Sequence, residues 1–245
     1  MQPISTALII GAGGGLGTAL CKQWQQDDNV DSVIAISSRA IDHDNKNELS
    51  GIKYISCDYS ETAIAETCEQ IKTMTDSITR VCICNGILHS ENVWPEKRIE
   101  DVNLNTLQEV FSVNSFIPLL WLKALFPLIK GDADCIIAVF SARVGSIGDN
   151  RSGGWYSYRA SKAALNMLLK TAAIELARRA SNVKLIAFQP GTTDTPLSKP
   201  FQAAVKAGNL FTTEFVAQRL VDIMNNQKLD GELSFIDWEN KTIAW

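Results

Sequence analysis

The chain has 245 residues, of which 46% are hydrophobic and 20% charged, the balance of an ordinary folded protein. That length supports one sizeable core without disulfide or metal staples. Composition therefore excludes a disordered chain, a collagen and a mini-protein scaffold. Twenty-three basic residues against twenty-seven acidic ones leave a formal net charge of −4. This gives no electrostatic footprint for nucleic acid and no polybasic block for an anionic membrane.

The opening MQPISTALII lacks a positive n-region and runs into a glycine-rich turn, so it does not read as a signal peptide. The most apolar stretch, 116–129, is interrupted by Pro118, Lys123 and Pro127 and is too short for a bilayer. A cytoplasmic protein is expected. Six cysteines, at 21, 57, 68, 82, 84 and 135, form no CxxC pair and are expected reduced and buried. Cys82 and Cys84 alternate within an apolar run and should share a strand face. His43 and His89 lie far apart, which leaves little for a zinc site.

Strand and helix patterns alternate along the chain. Residues 4–10 predict a buried strand ending at Gly11, followed by a helix over 16–26. A second strand covers 33–37, a polar loop 40–50, a third strand 52–56 and a helix 62–74. The fourth strand, 80–84, ends at Asn85-Gly86. A long helical stretch runs over 103–129, with Pro118 bending it. The fifth strand, 134–140, leads into a loop over 141–154 rich in Gly, Ser, Asp and Asn, then a helix over 158–180. The sixth strand, 183–188, stops at Pro190-Gly191. A polar stretch precedes a helix over 213–224 and a last strand over 233–236.

Such alternation predicts an α/β protein: one doubly wound domain over 1–245, with seven mainly parallel strands and helices on both faces. Ligands in such sheets bind beyond the carboxyl ends of the strands. The residues just after each strand are therefore the informative ones.

After the first strand the chain reads Gly11-Ala12-Gly13-Gly14-Gly15-Leu16-Gly17. It misses G-x-G-x-x-G and the P-loop pattern but fits G-x-x-x-G-x-G through Gly11, Gly15 and Gly17. Glycine permits positive φ and close approach of a pyrophosphate to the main chain. The following helix, from Leu16, then offers free N–H groups and its positive end. The second strand ends in Ser37-Ser38-Arg39. An acid here would hold a ribose 2′-hydroxyl; a neutral Ser38 and a guanidinium at Arg39 suit a 2′-phosphate instead. NADP is favoured over NAD.

Tyr158 and Lys162 stand four apart in a predicted helix and so share a face. A phenol near pKa 10 is a poor acid–base catalyst at neutral pH, and a neighbouring ammonium favours its phenolate and lowers that value. The pair can deliver a proton to a carbonyl oxygen as hydride reaches the carbon.

With the order Gly11/Gly15/Gly17, Asp58, Asn85-Gly86, Asn114, Ser141, Tyr158/Lys162, Pro190-Gly191, Thr193 and Thr195, the chain resembles the short-chain dehydrogenase/reductase family over essentially its whole length. The stretches SARVGSIGDN and GGWYSYRASKAALN, with the ending at Trp245, look most like its C-factor-type branch, which also resembles sniffer-like carbonyl reductases. The resemblance implies a Rossmann fold and NADPH as cofactor. It implies Tyr158 as general acid in reduction, and Lys162 holding the nicotinamide ribose and lowering the Tyr158 pKa. It implies Asn114 ordering a proton-relay water and a serine on the substrate oxygen. Asp58 would approach the adenine and the Asn85-Gly86 backbone the adenine ribose. Pro190, Gly191 and Thr193 would cradle the nicotinamide, and Thr195 its carboxamide or a phosphate. Residues 196–212 fall where the family keeps a substrate lid, and a homodimer or homotetramer is implied.

Two positions depart from the family pattern. The family's serine stands three residues before Gly145, which is Ala142 here; either Ser141 serves through a one-residue shift or that hydrogen bond is missing. The family's N-N-A-G reads Ile83-Cys84-Asn85-Gly86. The expected function is NADPH-dependent reduction of a small-molecule carbonyl to an alcohol. The alternative is a cofactor-binding signalling or regulatory protein of C-factor type with little turnover. Arg143, Trp155 and Tyr156 are expected to flank the cleft, and Phe201, Leu210 and Phe211 hint at an apolar substrate.

Overall fold

The computed structural model describes residues 5–39 and 51–245. The loop read at 40–50, His43 and the first residue of the predicted opening strand lie outside the described residues. The elements alternate as expected. β1 (Ser5–Ile10), α1 (Gly15–Gln25), β2 (Ser32–Ser37), β3 (Lys53–Ser56), α2 (Glu61–Met74) and β4 (Ser77–Ile83) make the first half. α3 (Leu104–Phe111), α4 (Ile117–Ile129), β5 (Cys135–Phe140), α5 (Tyr156–Arg179) and β6 (Val183–Gln189) follow. Two short strands, β7 (Thr192–Thr193) and β8 (Leu210–Phe211), precede α6 (Thr213–Asn225) and β9 (Leu233–Asp237).

Seven strands form one parallel sheet in the order β3-β2-β1-β4-β5-β6-β9. The order reverses between β1 and β4, where a doubly wound sheet opens a crevice at its carboxyl edge. Both faces are covered, which is why β1, β2 and β5 read as continuous apolar runs. On one face Ile64 and Ile71 of α2, Trp121 and Leu125 of α4, and Leu165 and Leu169 of α5 pack on Leu8, Ile34 and Ile137. On the other, Leu20 and Trp24 of α1 and Val216 and Leu220 of α6 pack on Ile9, Ala35 and Ile186. The six cysteines are free thiols, five of them buried. Cys82 belongs to the α1/α6 layer and Cys84 packs against it, so the two share a side as their spacing predicts.

Two departures from the sequence reading matter. The stretch predicted as one helix bent at Pro118 is α3 and α4 joined by a π turn over Ser112–Phe116. Ile117 N–H reaches back to the Ser112 carbonyl, five residues earlier. Pro118 has no N–H for the carbonyl of Asn114, so α-helical bonding cannot pass unbroken. The continuous helical run Leu104–Ile129 is also longer than the apolar stretch read from sequence: 26 residues holding an 18-residue window of mean hydropathy 1.5, enough on length and composition to cross a membrane. In the fold Trp121, Leu122, Leu125 and Ile129 are buried against the sheet. The second departure is the parallel pair β7–β8, which ties both ends of the 194–209 excursion.

Because the sheet separates the two apolar layers, Ile71→Val and Ile223→Val should each cost about 0.5–1.5 kcal/mol in urea unfolding. The costs should sum in the double variant, and a coupling well above about 0.5 kcal/mol would contradict independent layers.

Candidate active site

Every residue singled out after a strand lies at the carboxyl edge. The Gly11 φ is +84°, and a Cβ there would stand 2.9 Å from the Asn85 nitrogen. The end of β1 is thereby pressed against the turn after β4. A Cβ on Gly17 would stand 2.3 Å from the Gly11 carbonyl oxygen, so the glycine turn closes only without side chains. Gly15 is exposed at the start of α1. A Cβ there would meet the methyl of Thr195 at 3.3 Å and that of Thr213 at 3.4 Å. Leu16 is half-buried against the α1/α6 layer.

Ser38 and Arg39 are exposed at the end of β2. The Arg39 N–H donates to Ser37 Oγ at 3.1 Å. Asp58 is exposed and accepts from the Ser60 N–H at 2.8 Å, a bond that holds its carboxyl below the usual value. Asn85 donates to the Val113 carbonyl at 2.8 Å, while its Oδ1 is buried without a partner among the described residues. Pro190 and Gly191 follow β6, with Gly191 at φ +75°. A Cβ on Gly191 would strike the Phe211 ring at 2.6 Å. Thr193 is buried with its hydroxyl unpartnered. A glycine cradle that any side chain would fill, ringed by the unpartnered Asn85 Oδ1 and Thr193 Oγ1, fits a dinucleotide at this edge.

Tyr158 and Lys162 sit on the inner face of α5, 9% and 3% exposed. Lys162 Nζ donates to the Phe140 carbonyl at the end of β5 at 2.7 Å and lies 5.9 Å from the Tyr158 ring centroid. A Cβ on Gly86 would stand 3.4 Å from Asn114 Oδ1 and 3.7 Å from Lys162 Nζ. One on Gly145 would stand 2.8 Å from Lys162 Cβ. Gly145, three residues after Ala142, is the close approach that seats the lysine.

Burial governs both ionisable groups. It pushes the Tyr158 phenol up to about 12 and Lys162 down to about 7. The expected depression of the phenol by its neighbour is therefore not met in the protein alone, because desolvation favours the neutral form of each group.

Asn114 is fully buried at the π turn. Its Oδ1 accepts from the Ile87 N–H at 2.7 Å, and its Nδ2 donates to the Ile87 carbonyl at 2.9 Å and to Ser161 Oγ at 3.1 Å. The side chain thus ties the turn after β4 to α5. The structure does not join Ser141 to this group. Its hydroxyl donates to Asn166 Oδ1 at 2.6 Å, and the residue is 4% exposed. The next residue, Ala142, is extended and offers only a methyl.

An aromatic wall runs outward from the phenol. Trp155 meets Tyr158 edge-on at 6.2 Å between centroids and Phe201 at 5.1 Å. Phe201 in turn contacts Trp94 at 5.4 Å and His89 at 5.8 Å. His89 Nε2 lies 3.1 Å from the Pro196 carbonyl oxygen. Trp155 thus flanks the cleft as expected. Arg143 turns instead to Asp149 and Asp237, at 3.2 and 3.4 Å. Tyr156 lines a separate cavity of about 440 Å³ on the outer side of α5, with Ile147, Arg159 and Ala163. His89 and Trp94 escaped the sequence reading because they sit in an irregular segment that shows no periodicity.

A family model described as short chain dehydrogenase matches residues 5–206. The C-signal protein of Myxococcus xanthus is 32% identical over 145 residues, spanning 59% of this chain and 82% of that one. The carbonyl reductase Sniffer of D. melanogaster superposes with a TM-score of 0.84 at 19% identity, covering all of both chains. An NADPH-bound carbonyl reductase from chicken fatty liver superposes with a TM-score of 0.84 at 20% identity, over 99% of this chain and 100% of that one.

The burial of Lys162 leaves a signature. Between about 7 and 10.5 the unfolded chain holds a lysine proton that the folded chain has released, so this group makes stability rise with pH. Buried thiols such as Cys21 and Cys82, raised from 9.0 to about 12, pull the other way above pH 9. In urea unfolding from pH 7 to 9, the wild type should therefore gain stability relative to Lys162→Met. Parallel curves for the two proteins would contradict the lowered lysine.

Proposed function

Because the chain belongs to the short-chain dehydrogenase family, we propose that it is an NADPH-dependent reductase of small-molecule carbonyls. The observation that carries this reading is the buried Tyr158–Lys162 pair beside Gly86 and Asn114, at the edge where the glycine cradle opens. Gly11, Gly15, Gly17, Asn85, Gly86, Pro190, Gly191, Thr193 and Thr195 would hold the dinucleotide, with Asp58 toward the adenine. Arg39, exposed beside Ser38, would take a 2′-phosphate in preference to a bare ribose. When bound, a reduced nicotinamide supplies hydride to the carbonyl carbon.

The rest is the chain's own chemistry. A phenol raised to about 12 keeps its proton at neutral pH, which favours its use as an acid, in the direction of reduction. Tyr158 gives that proton to the carbonyl oxygen as the C=O bond becomes an alcohol. Lys162, near neutrality at about 7, is poised to return a proton to the phenolate. The aromatic wall from Trp155 to Trp94 supports an apolar substrate under a lid over 196–212. A cofactor-binding signalling role with little turnover is the second reading. It is favoured by the Ser141 hydroxyl being bound to Asn166 and by the C-signal relative.

The test is NADPH oxidation across aldehydes, ketones and quinones, repeated with NADH. Tyr158→Phe should lower turnover by about 10²–10⁴-fold, with NADPH affinity by fluorescence titration unchanged within about twofold. Full activity in that variant would reject the mechanism. A wild type saturated with cofactor yet inert toward the whole panel would favour the signalling reading.

A further inference from the structure

Glu96 belongs to no motif, yet it is 3% exposed. It lies in the irregular segment between β4 and α3. Its Oε2 accepts from both the N–H and the hydroxyl of Ser157, at 3.1 and 3.0 Å. Its own carbonyl accepts from the Trp155 N–H. Its Oε1 is buried with no partner among the described residues.

These bonds fall on the start of the catalytic helix. A helix N-terminus presents N–H groups with no partner inside the helix. In α5 the capping position is Trp155, which makes no side-chain cap bond, and the first turn carries no acid. A carboxylate from 61 residues earlier supplies both, and its charge suits the positive end of the helix.

The approach to the helix is strained as well. Gly153, Gly154 and Trp155 have φ of +62°, +65° and +54°, three left-handed residues in succession. Tryptophan adopts that conformation only where its surroundings impose it. Here the bond from its N–H to the Glu96 carbonyl helps impose it, and the conformation aims the indole at Tyr158 and Phe201.

We propose that Glu96 is a positioning residue: by gripping Ser157 and Trp155 it fixes the first turn of α5 and so the direction of the Tyr158 phenol. In this role it acts through Ser157 and Trp155 rather than on the reacting atoms, and the proposal rests on the reduction assigned above to Tyr158.

Glu96→Ala, Glu96→Gln and Ser157→Ala, in the full chain, test it. Rates are taken per NADPH-binding site, counted by fluorescence titration, so that loss of folded protein does not register. Glu96→Ala should lower kcat by about ten- to hundredfold while KM for NADPH holds within about twofold. Glu96→Gln keeps an acceptor oxygen for Ser157 and should recover most of kcat; Ser157→Ala should show a partial loss. A general loss of stability would not give this pattern. An unchanged kcat per site in Glu96→Ala, or a Gln variant as impaired as the Ala one, overturns the proposal. Where Glu96→Ala does not fold, Ser157→Ala decides, an unchanged kcat being the adverse result. A wild type inert toward every carbonyl rejects the assigned reduction instead. The grip is then decided by amide exchange at Trp155 and Ser157, which Glu96→Ala should speed and Glu96→Gln should not; equal exchange in the three proteins overturns it.

Discussion

The site is organised around the bond from Lys162 Nζ to the Phe140 carbonyl. A lysine almost wholly removed from water must find an acceptor or give up its charge. The chain offers one main-chain oxygen at the end of β5 and otherwise lets burial lower the lysine to about 7. That single anchor dictates its neighbours. Gly145 carries no side chain because α5 presses there. Gly86 lies against the same group, a Cβ there standing in ordinary contact with Asn114 Oδ1 at 3.4 Å and Lys162 Nζ at 3.7 Å. Asn114 is held by Ile87 and Ser161 so that the turn after β4 cannot drift away from α5.

The same logic separates rigid from adaptable parts of the cleft. The inner wall is built from strand ends and the buried face of α5, where every shift would break a packed contact. Beyond Trp155, the outer wall is made of rings in edge-on or tilted contact: Phe201, Trp94 and His89. The segment carrying Phe201 is tied at its ends by β7–β8 and held inside by bonds such as Ser198 Oγ to the Thr195 carbonyl and Gln202 to Asp194. Ring contacts of this kind cost little to rearrange compared with the layers beneath the sheet.

Much of this was legible in the sequence because parallel sheets leave a plain record. Strands buried on both faces read as apolar runs, and the residues that end them mark the binding edge, from Gly11 through Asn85 to Gly191. What escaped was set by contacts between distant segments. Nothing local announces that Glu96 caps a helix 61 residues later, or that Thr192 pairs beside Leu210. The π turn at Ser112–Phe116 was half visible: Pro118 advertised a break, but the extra residue lies upstream, where Asn114 needed room. The protonation of the pair could not be read from spacing, since a shared helix face says nothing about how far water is excluded.

The alternation of an extended strand end decides what Ser141 can do. Phe140 points into the α1/α6 layer against Phe188. Ser141 points to the opposite side and meets Asn166 on α5. Ala142, extended in turn, faces away from Asn166 again. A one-residue shift that carried the Ser141 hydroxyl to the Ala142 position would also reverse Phe140 and take its ring out of a packed layer. It would displace the carbonyl that receives Lys162 as well. The register of β5 is fixed by Ile136, Ile137 and Val139 against β4 and β6, so this shift is costly. The Ser141 hydroxyl is therefore held on the Asn166 side, away from the Tyr158–Lys162 pair, and the direction of the phenol is left to whatever holds the first turn of α5.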